Sequence, residues 1–458
     1  MNQPILTTII TSETPKNLQT LKEEYLDLGW ILSKKISKYS IELSFQNTSQ
    51  VKIECHSNGL MKTFVQLNKD GLKQGHTIKW FISGKKQEKK RFNCGVQHGR
   101  FSVWNSDGII LQKGEYKNGQ EHGLWIDNYN NGKIRHKQNW FSGKKDGVSK
   151  RWYPNGILKE HGKYQKGQKY GKWISWDNTN QKKEESHFEY GVLNGSIKRW
   201  NHNGNVCLNG FYRNGKKVDT WRKYHKNGKE LEEVHFAEGR KTGTMKMWHQ
   251  NGRLIQKNIF KDDVPQGKQI SWFTSGHKKE DGTFINGEQN GTWEAWYDNG
   301  KRKSLITYKM GVRCGKFQTW FSNNRKKEEG TYENGKKDNM WKRWSRDGQI
   351  ESEFRYQNGL RHGLCKQWYP NGEKAFKIQY ENGKYHGDWF EWNDKGNLKK
   401  NQQFIHGIQN GKCTHWHDNG IKKLDCFFKN GEMNGKFIQW DTSGEIIQEF
   451  TYSRGVVT

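Results

Sequence analysis

The sequence predicts an all-β protein: an elongated tandem array of about sixteen antiparallel β-hairpins on a 24-residue repeat, forming a twisted or coiled single sheet with a short N-terminal cap. Three observations predict it. Glycine recurs every 24 residues in three separate columns, wide aromatic side chains recur on the same clock between them, and no helical period survives in the repeated region.

The glycine columns come first because they place the turns. From Gly84 to Gly444 in steps of 24, fourteen of sixteen positions are Gly and the others are Asn180 and Asn324. From Gly95 to Gly455, fifteen of sixteen are Gly, with Asp263 the exception. From Gly99 to Gly435, thirteen of fifteen are Gly, with Asp219 and Asn339 the exceptions. Only Gly, Asn and Asp occur in these columns, and those residues best tolerate positive φ. The columns therefore predict left-handed backbone, not merely small residues. Asn commonly precedes the first column, as in Asn155-Gly156, Asn227-Gly228 and Asn299-Gly300. That dipeptide predicts a two-residue type I′ hairpin turn there.

Between the turns lie the strands. From Trp80 to Trp440 fourteen of sixteen positions are Trp, the departures being Asn128 and Tyr224, and from Phe92 to Tyr452 all are Phe, Tyr or Trp. A looser column runs from Phe101 to Phe437. Turn signals about 11 and 13 residues apart make each repeat two strands, one hairpin. A lone hairpin of this kind does not stand in water, so stacked neighbours must supply the other side of each aromatic row.

A 48-residue period sits inside the first. Two residues after the turn glycine, Ile110, Leu158, Val206, Leu254, Ile350, Leu398 and Ile446 are aliphatic; the interleaved Lys86, Lys182, Glu230, Lys278, Lys326, Lys374 and Lys422 are charged. Ile134 and Arg302 break the two series. A two-residue turn would set this column opposite the residue after the Trp, giving pairs such as Phe273/Lys278 and Asp441/Ile446. The large/small alternation of the third aromatic column slips phase between Trp221 and Trp293.

Residues 1–50 stand outside the repeat and are expected to cap it. Lys16 to Leu32 sets Leu18, Leu21, Tyr25, Leu28 and Leu32 at helix-like spacing, broken by Gly29, which predicts a short helix. Residues 51–75 read as a degenerate first repeat, with Asn58-Gly59 one residue off the frame, and 76–458 as the tandem array.

Together these columns give the pattern W-[YF]-x-N-G followed by [YF]-x-x-G-x-x-x-G, which resembles the MORN repeat (membrane occupation and recognition nexus) in its variant form, over roughly residues 51–458. That form also occurs in bacterial proteins described as antitoxin components. The resemblance implies consecutive antiparallel hairpins serving as an interaction or assembly module. Phospholipid binding has been put forward for some members. It offers no catalytic residues.

Composition bounds the rest. Lys plus Arg total 79 against 48 Asp plus Glu, a net charge of +31 that attracts polyanions, anionic membranes or acidic protein faces. The seven cysteines form no C-x-x-C pair, so neither a zinc site nor a disulfide framework is signalled. No stretch suits a membrane span and no signal peptide is legible, so a cytoplasmic protein, alternatively peripheral at a membrane, is expected.

Enzyme motifs are near misses. Gly330 to Lys336 and Gly210 to Lys216 match G-x-x-x-x-G-K but lack the Ser/Thr and the helix of a phosphate loop. His415 and His417 are expected side by side on an open strand face, and Lys182-Lys183-Glu184-Glu185 and Lys326-Lys327-Glu328-Glu329 as solvated edges. No catalytic, cofactor-binding or metal-binding residue is expected, and no cofactor. The expected function is a non-catalytic repeat scaffold for protein–protein interaction or assembly. The alternative is electrostatic binding to an anionic phospholipid surface. Nucleic acid is disfavoured, because the aromatic columns are needed as core.

Overall fold

The structure, a computed structural model, describes residues 31–37, 40–45 and 49–458. The helix expected over Lys16–Leu32 lies outside the described residues, except that Ile31 and Leu32 open the strand Ile31–Ser37. Among the described residues every regular element is a strand, and within each unit consecutive long strands are hydrogen-bonded antiparallel, while short pieces such as Val96–Gln97 pair back onto the preceding strand. The chain divides into two compact units, Met1–Gly228 and Lys229–Thr458, each built from consecutive hairpins.

All three glycine columns have positive φ throughout, including Asn180, Asn324, Asp263, Asp219 and Asn339. The type I′ turn expected at the first column, however, is not found there. At the first column only the Gly is left-handed: Gly156 is at φ 93° while Asn155 keeps negative φ. The Gly156 N–H donates to the Tyr153 carbonyl and the Tyr153 N–H to the Ile157 carbonyl, enclosing the loop Pro154-Asn155-Gly156. This three-residue loop is the type I turn with a left-handed bulge residue. Type I′ turns belong to the second column. There the residue before each Gly is also left-handed in every copy, whether Asn118 at φ 52°, Tyr190 at 47° or Met310 at 47°. The third column marks a bulge, where Gln138 faces Ser149 but Trp140 faces Lys145, with Gly147 in the interval.

The longer first loop also corrects the predicted pairing. Lys278 lies across from Trp272 and Ile446 from Trp440, one position before the residues expected. The tryptophans therefore face, in turn, an aliphatic side chain or a cation.

In each unit the core is a row running across the strands. In the first unit Phe101 faces Gly114, Trp125 faces Gln138, Ser149 faces Gly162 and Trp173 faces Ser186. In the second, Trp293 faces Ile306, Phe317 faces Gly330 and Trp341 faces Phe354. Gly114, Gly162, Gly210, Gly282 and Gly330 are needed for space, since a Cβ on any of them would sit 2.2–2.3 Å from the Trp ring eleven residues on. Each of those rings also donates its indole N–H to a backbone carbonyl, as Trp173 does to Lys163 at 3.1 Å. It meets a second-column ring edge-on, Tyr164–Trp173 at 5.1 Å and Tyr332–Trp341 at 5.0 Å. The phase slip between Trp221 and Trp293 coincides with the division into units. Each unit keeps one 48-residue phase, Trp125/Trp173/Trp221 and Trp293/Trp341/Trp389.

The first strands differ. Leu43, Val51, Ile53, Phe64 and Ile78 are fully buried, a mainly aliphatic core in and beside the degenerate repeat.

Candidate interaction surface

A repeat that spends its large side chains on the core has edges and charged rows left to offer. On the edge carrying the three-residue loops, Asn155 Oδ1 accepts from the Ile157 N–H, and its Nδ2 donates to the Asn178 carbonyl in the next loop, 3.0 Å away. Asn131, Asn299, Asn323 and Asn419 repeat the reach of 23 residues. The Tyr153 hydroxyl donates to the Trp176 carbonyl at 3.0 Å, and Tyr129, Tyr297 and Tyr369 do the same to their own next Trp. The signature W-[YF]-x-N-G thus describes a ladder between loops. Asn is selected there for its amide, not for left-handed backbone.

The opposite edge is made by the type I′ turns. Each glycine N–H donates to a carbonyl of the preceding turn, Gly311 to Gln289 and Gly359 to Lys337 at 2.8 Å. The residue after that glycine alternates. In the second unit Val264, Val312, Leu360, Ile408 and Val456 are all more than 40% exposed, with Glu288, Lys336, Lys384 and Glu432 between them. In the first unit Val96 and Val192 hold the same place, but Lys144 interrupts the row between them. Each apolar residue covers the next turn on one side, as Val312 does Gly335, and leaves its other side to solvent. Four strands at ~4.8 Å set these apolar points roughly 19 Å apart. The sequence held this row in plain sight, as a 48-residue period beside the second glycine column. Nothing short of the turn geometry tells which face those residues take.

The charged column proves more occupied than a solvated face. Lys182 lies over the Trp200 ring at 5.0 Å and Lys278 over Trp296 at 4.9 Å, while Lys326, Lys374 and Lys422 cover Trp344, Trp392 and Trp440. All of these ammonium groups but that of Lys374 pair with a carboxylate three residues on, as in Lys278–Asp281 at 2.9 Å and Lys326–Glu329 at 2.7 Å. Burial pushes the Glu329 carboxyl up, but its bonds from Lys326 and Gln318 outweigh that and hold it below the ordinary range. The runs read as solvated edges are therefore partly paired and tied to the aromatic rows.

His415 and His417 do not share an open face. His415 Nε2 turns toward Cys413 Sγ at 3.6 Å, while His417 Nε2 is 3.0 Å from the Trp440 carbonyl. Cys413 and Cys426 are directly opposed, buried and both free, a pairing that thirteen residues of separation concealed. Hydrogen bonding from Cys426, with His415 and Gln402 adding to it against burial, pulls the Cys413 thiol down. The phosphate-loop look-alikes are structural, with Gly210 under Trp221, Gly330 under Trp341, and Gly215 and Gly335 in type I′ turns.

The fold and these edges define an all-β hairpin-repeat protein whose regular features are architectural. The family model described as the MORN repeat variant matches residues 97–118, 145–166, 289–310 and 361–382, and at these places the chain carries variant MORN repeats. Among curated proteins none matches. Solved structures that align include TcdB2-TccC3, 9% identical over 93% of this chain and 30% of that one, at a TM-score of 0.14. Another is TcdB2-TccC3-Cdc42, 9% identical over 91% and 28%, also at 0.14. The Photorhabdus luminescens Tc holotoxin pore aligns at 8% identity over 91% and 28%, again at 0.14. The chain spans less than a third of each of those chains, and at such TM-scores they carry no argument.

Proposed function

We propose that this protein is a non-catalytic scaffold that holds protein partners at fixed spacing along its type I′ edge. The observation that carries this reading is the row Val264, Val312, Leu360, Ile408 and Val456, exposed at 48-residue intervals on a hydrogen-bonded edge. Single exposed apolar residues need no explanation, whereas a periodic row on a rigid support suits a partner with matching repeats. A cytoplasmic location belongs to the same reading, supported by seven free cysteines. So does a capping role for residues 1–50, ahead of the degenerate repeat 51–75 and the array 76–458.

The experiment is affinity capture from native lysate at ~0.15 M and ~0.5 M salt, since the Debye length shrinks over that range. A defined protein partner should persist at high salt and be lost on Val312→Asp/Leu360→Asp/Ile408→Asp. The second reading, an anionic phospholipid surface, draws on the excess of 31 cations that no carboxylate can pair. It requires the opposite result: binding to phosphatidylserine vesicles that vanishes at ~0.5 M salt and ignores the triple substitution.

A further inference from the structure

One type I′ turn of the second unit gathers two imidazoles and a carboxylate. In several repeats the side chain three residues after the turn glycine caps the next turn: the Met310 N–H donates to Asn290 Oδ1 at 3.2 Å, and the Asn382 N–H to His362 Nδ1 at 3.4 Å. His386 occupies that position in the strand Lys384–Trp392, but its Nδ1 is buried and makes no hydrogen bond. It lies instead 3.1 Å from Glu381 Oε2, at the end of the preceding strand. His406, the left-handed residue of the next turn at φ 47°, brings its own Nδ1 to 3.2 Å from the same oxygen. The imidazole rings are 5.3 Å apart, and the three potential ligand atoms all lie within 4.8 Å of one another.

Glu381 Oε2 is likewise buried without a hydrogen bond, although two ring nitrogens stand at hydrogen-bonding distance. Close approach without donor–acceptor alignment is how ligands surround a third body. Two imidazole nitrogens and one carboxylate oxygen are a donor set suited to a zinc-class ion, with a fourth position left over. The combination is also singular within the repeat. The places of Glu381, His386 and His406 are held by Glu333, Asp338 and Asn358 two repeats earlier, and by Lys429, Asn434 and Arg454 two repeats later.

We propose that Glu381, His386 and His406 bind a divalent transition-metal ion of the zinc class, with its remaining coordination position open to water or to a donor from a partner. The ion would tie three strands together at the turn edge, between the exposed Leu360 and Ile408. The proposal does not depend on the scaffold reading.

The test uses the full chain after treatment with a chelator, titrated with Co²⁺ and then Zn²⁺. A visible d–d band should develop with about one equivalent of Co²⁺ and be bleached by Zn²⁺, and Zn²⁺ should raise Tm by mass action. His406→Asn should weaken binding about 10-fold or more while leaving the metal-free Tm equal or higher, because Asn suits this left-handed position. Neither band nor shift in the unaltered chain overturns the proposal, as does a band that His406→Asn retains. Should that variant not fold, Glu381→Gln is judged by the same criterion.

Discussion

At the scale of single residues, space and backbone sign decide more than polarity does. Gly162 has ordinary φ yet cannot carry a methyl group, because Trp173 lies 2.2 Å from where the Cβ would be. Gly162→Ala should destabilise the first unit by about 1–3 kcal/mol, the usual range for overpacking, as read from denaturant titration. Tyr190 shows the converse. It is held at φ 47° with its ring 67% exposed, so Tyr190→Asn relieves the turn while surrendering little packing. A stabilisation of about 0.5–1 kcal/mol is expected, seen as a higher denaturation midpoint.

His76 gives the pH dependence. Burial, with Lys89 and Arg91 adding to it, lowers its pKa to about 4 from the ordinary 6.5. The folded state therefore binds fewer protons than the unfolded chain between those values. Its contribution is complete above about pH 6.5 and is lost as pH falls toward 4. Tm measured across that window should drop less steeply in His76→Gln than in the unaltered chain.

At the scale of elements, the two kinds of turn do different work. The three-residue loops are linked mainly through side chains, the Asn amide and Tyr hydroxyl, whereas the type I′ turns are linked through backbone. Tyr153→Phe should therefore cost about 0.5–1.5 kcal/mol through the unmet Trp176 carbonyl, measured by chemical denaturation. Both hairpin turns were legible from the glycine columns, but type I′ was expected at the first column and belongs to the second. Asn-Gly is ambiguous in sequence because Asn serves a left-handed turn by its backbone tolerance and a type I loop by its side chain. Only the hydrogen bond from Asn155 to the neighbouring loop distinguishes them. The first strands carry the fully buried Leu43, Ile53, Phe64 and Ile78, and residues 1–30 of the proposed cap precede them. If it covers that core, deleting residues 1–30 should increase self-association in sedimentation velocity, since an uncovered end strand is open to pairing.

At the scale of the whole molecule, charge and repetition set what the protein offers. The excess cations are distributed over every repeat, and lysines of the 48-residue series such as Lys182 and Lys278 lean on Trp rings and nearby carboxylates. Salt should consequently weaken phospholipid binding far more than a contact made by Val312, Leu360 and Ile408. The proposed sites differ in legibility for the same reason. The exposed row is periodic and so readable in outline, while Glu381, His386 and His406 break the period. They become neighbours only because three successive strands bring the two type I′ turns side by side.

The sequence by itself determined the hairpin repeat, the left-handed positions and the aromatic rows, because each is a local demand renewed every 24 residues. Tertiary structure decided which turn was which, which residues faced the tryptophans, and which side chains met across strands. Those depend on register, and one added residue in a loop moves every pairing that follows it to the turn.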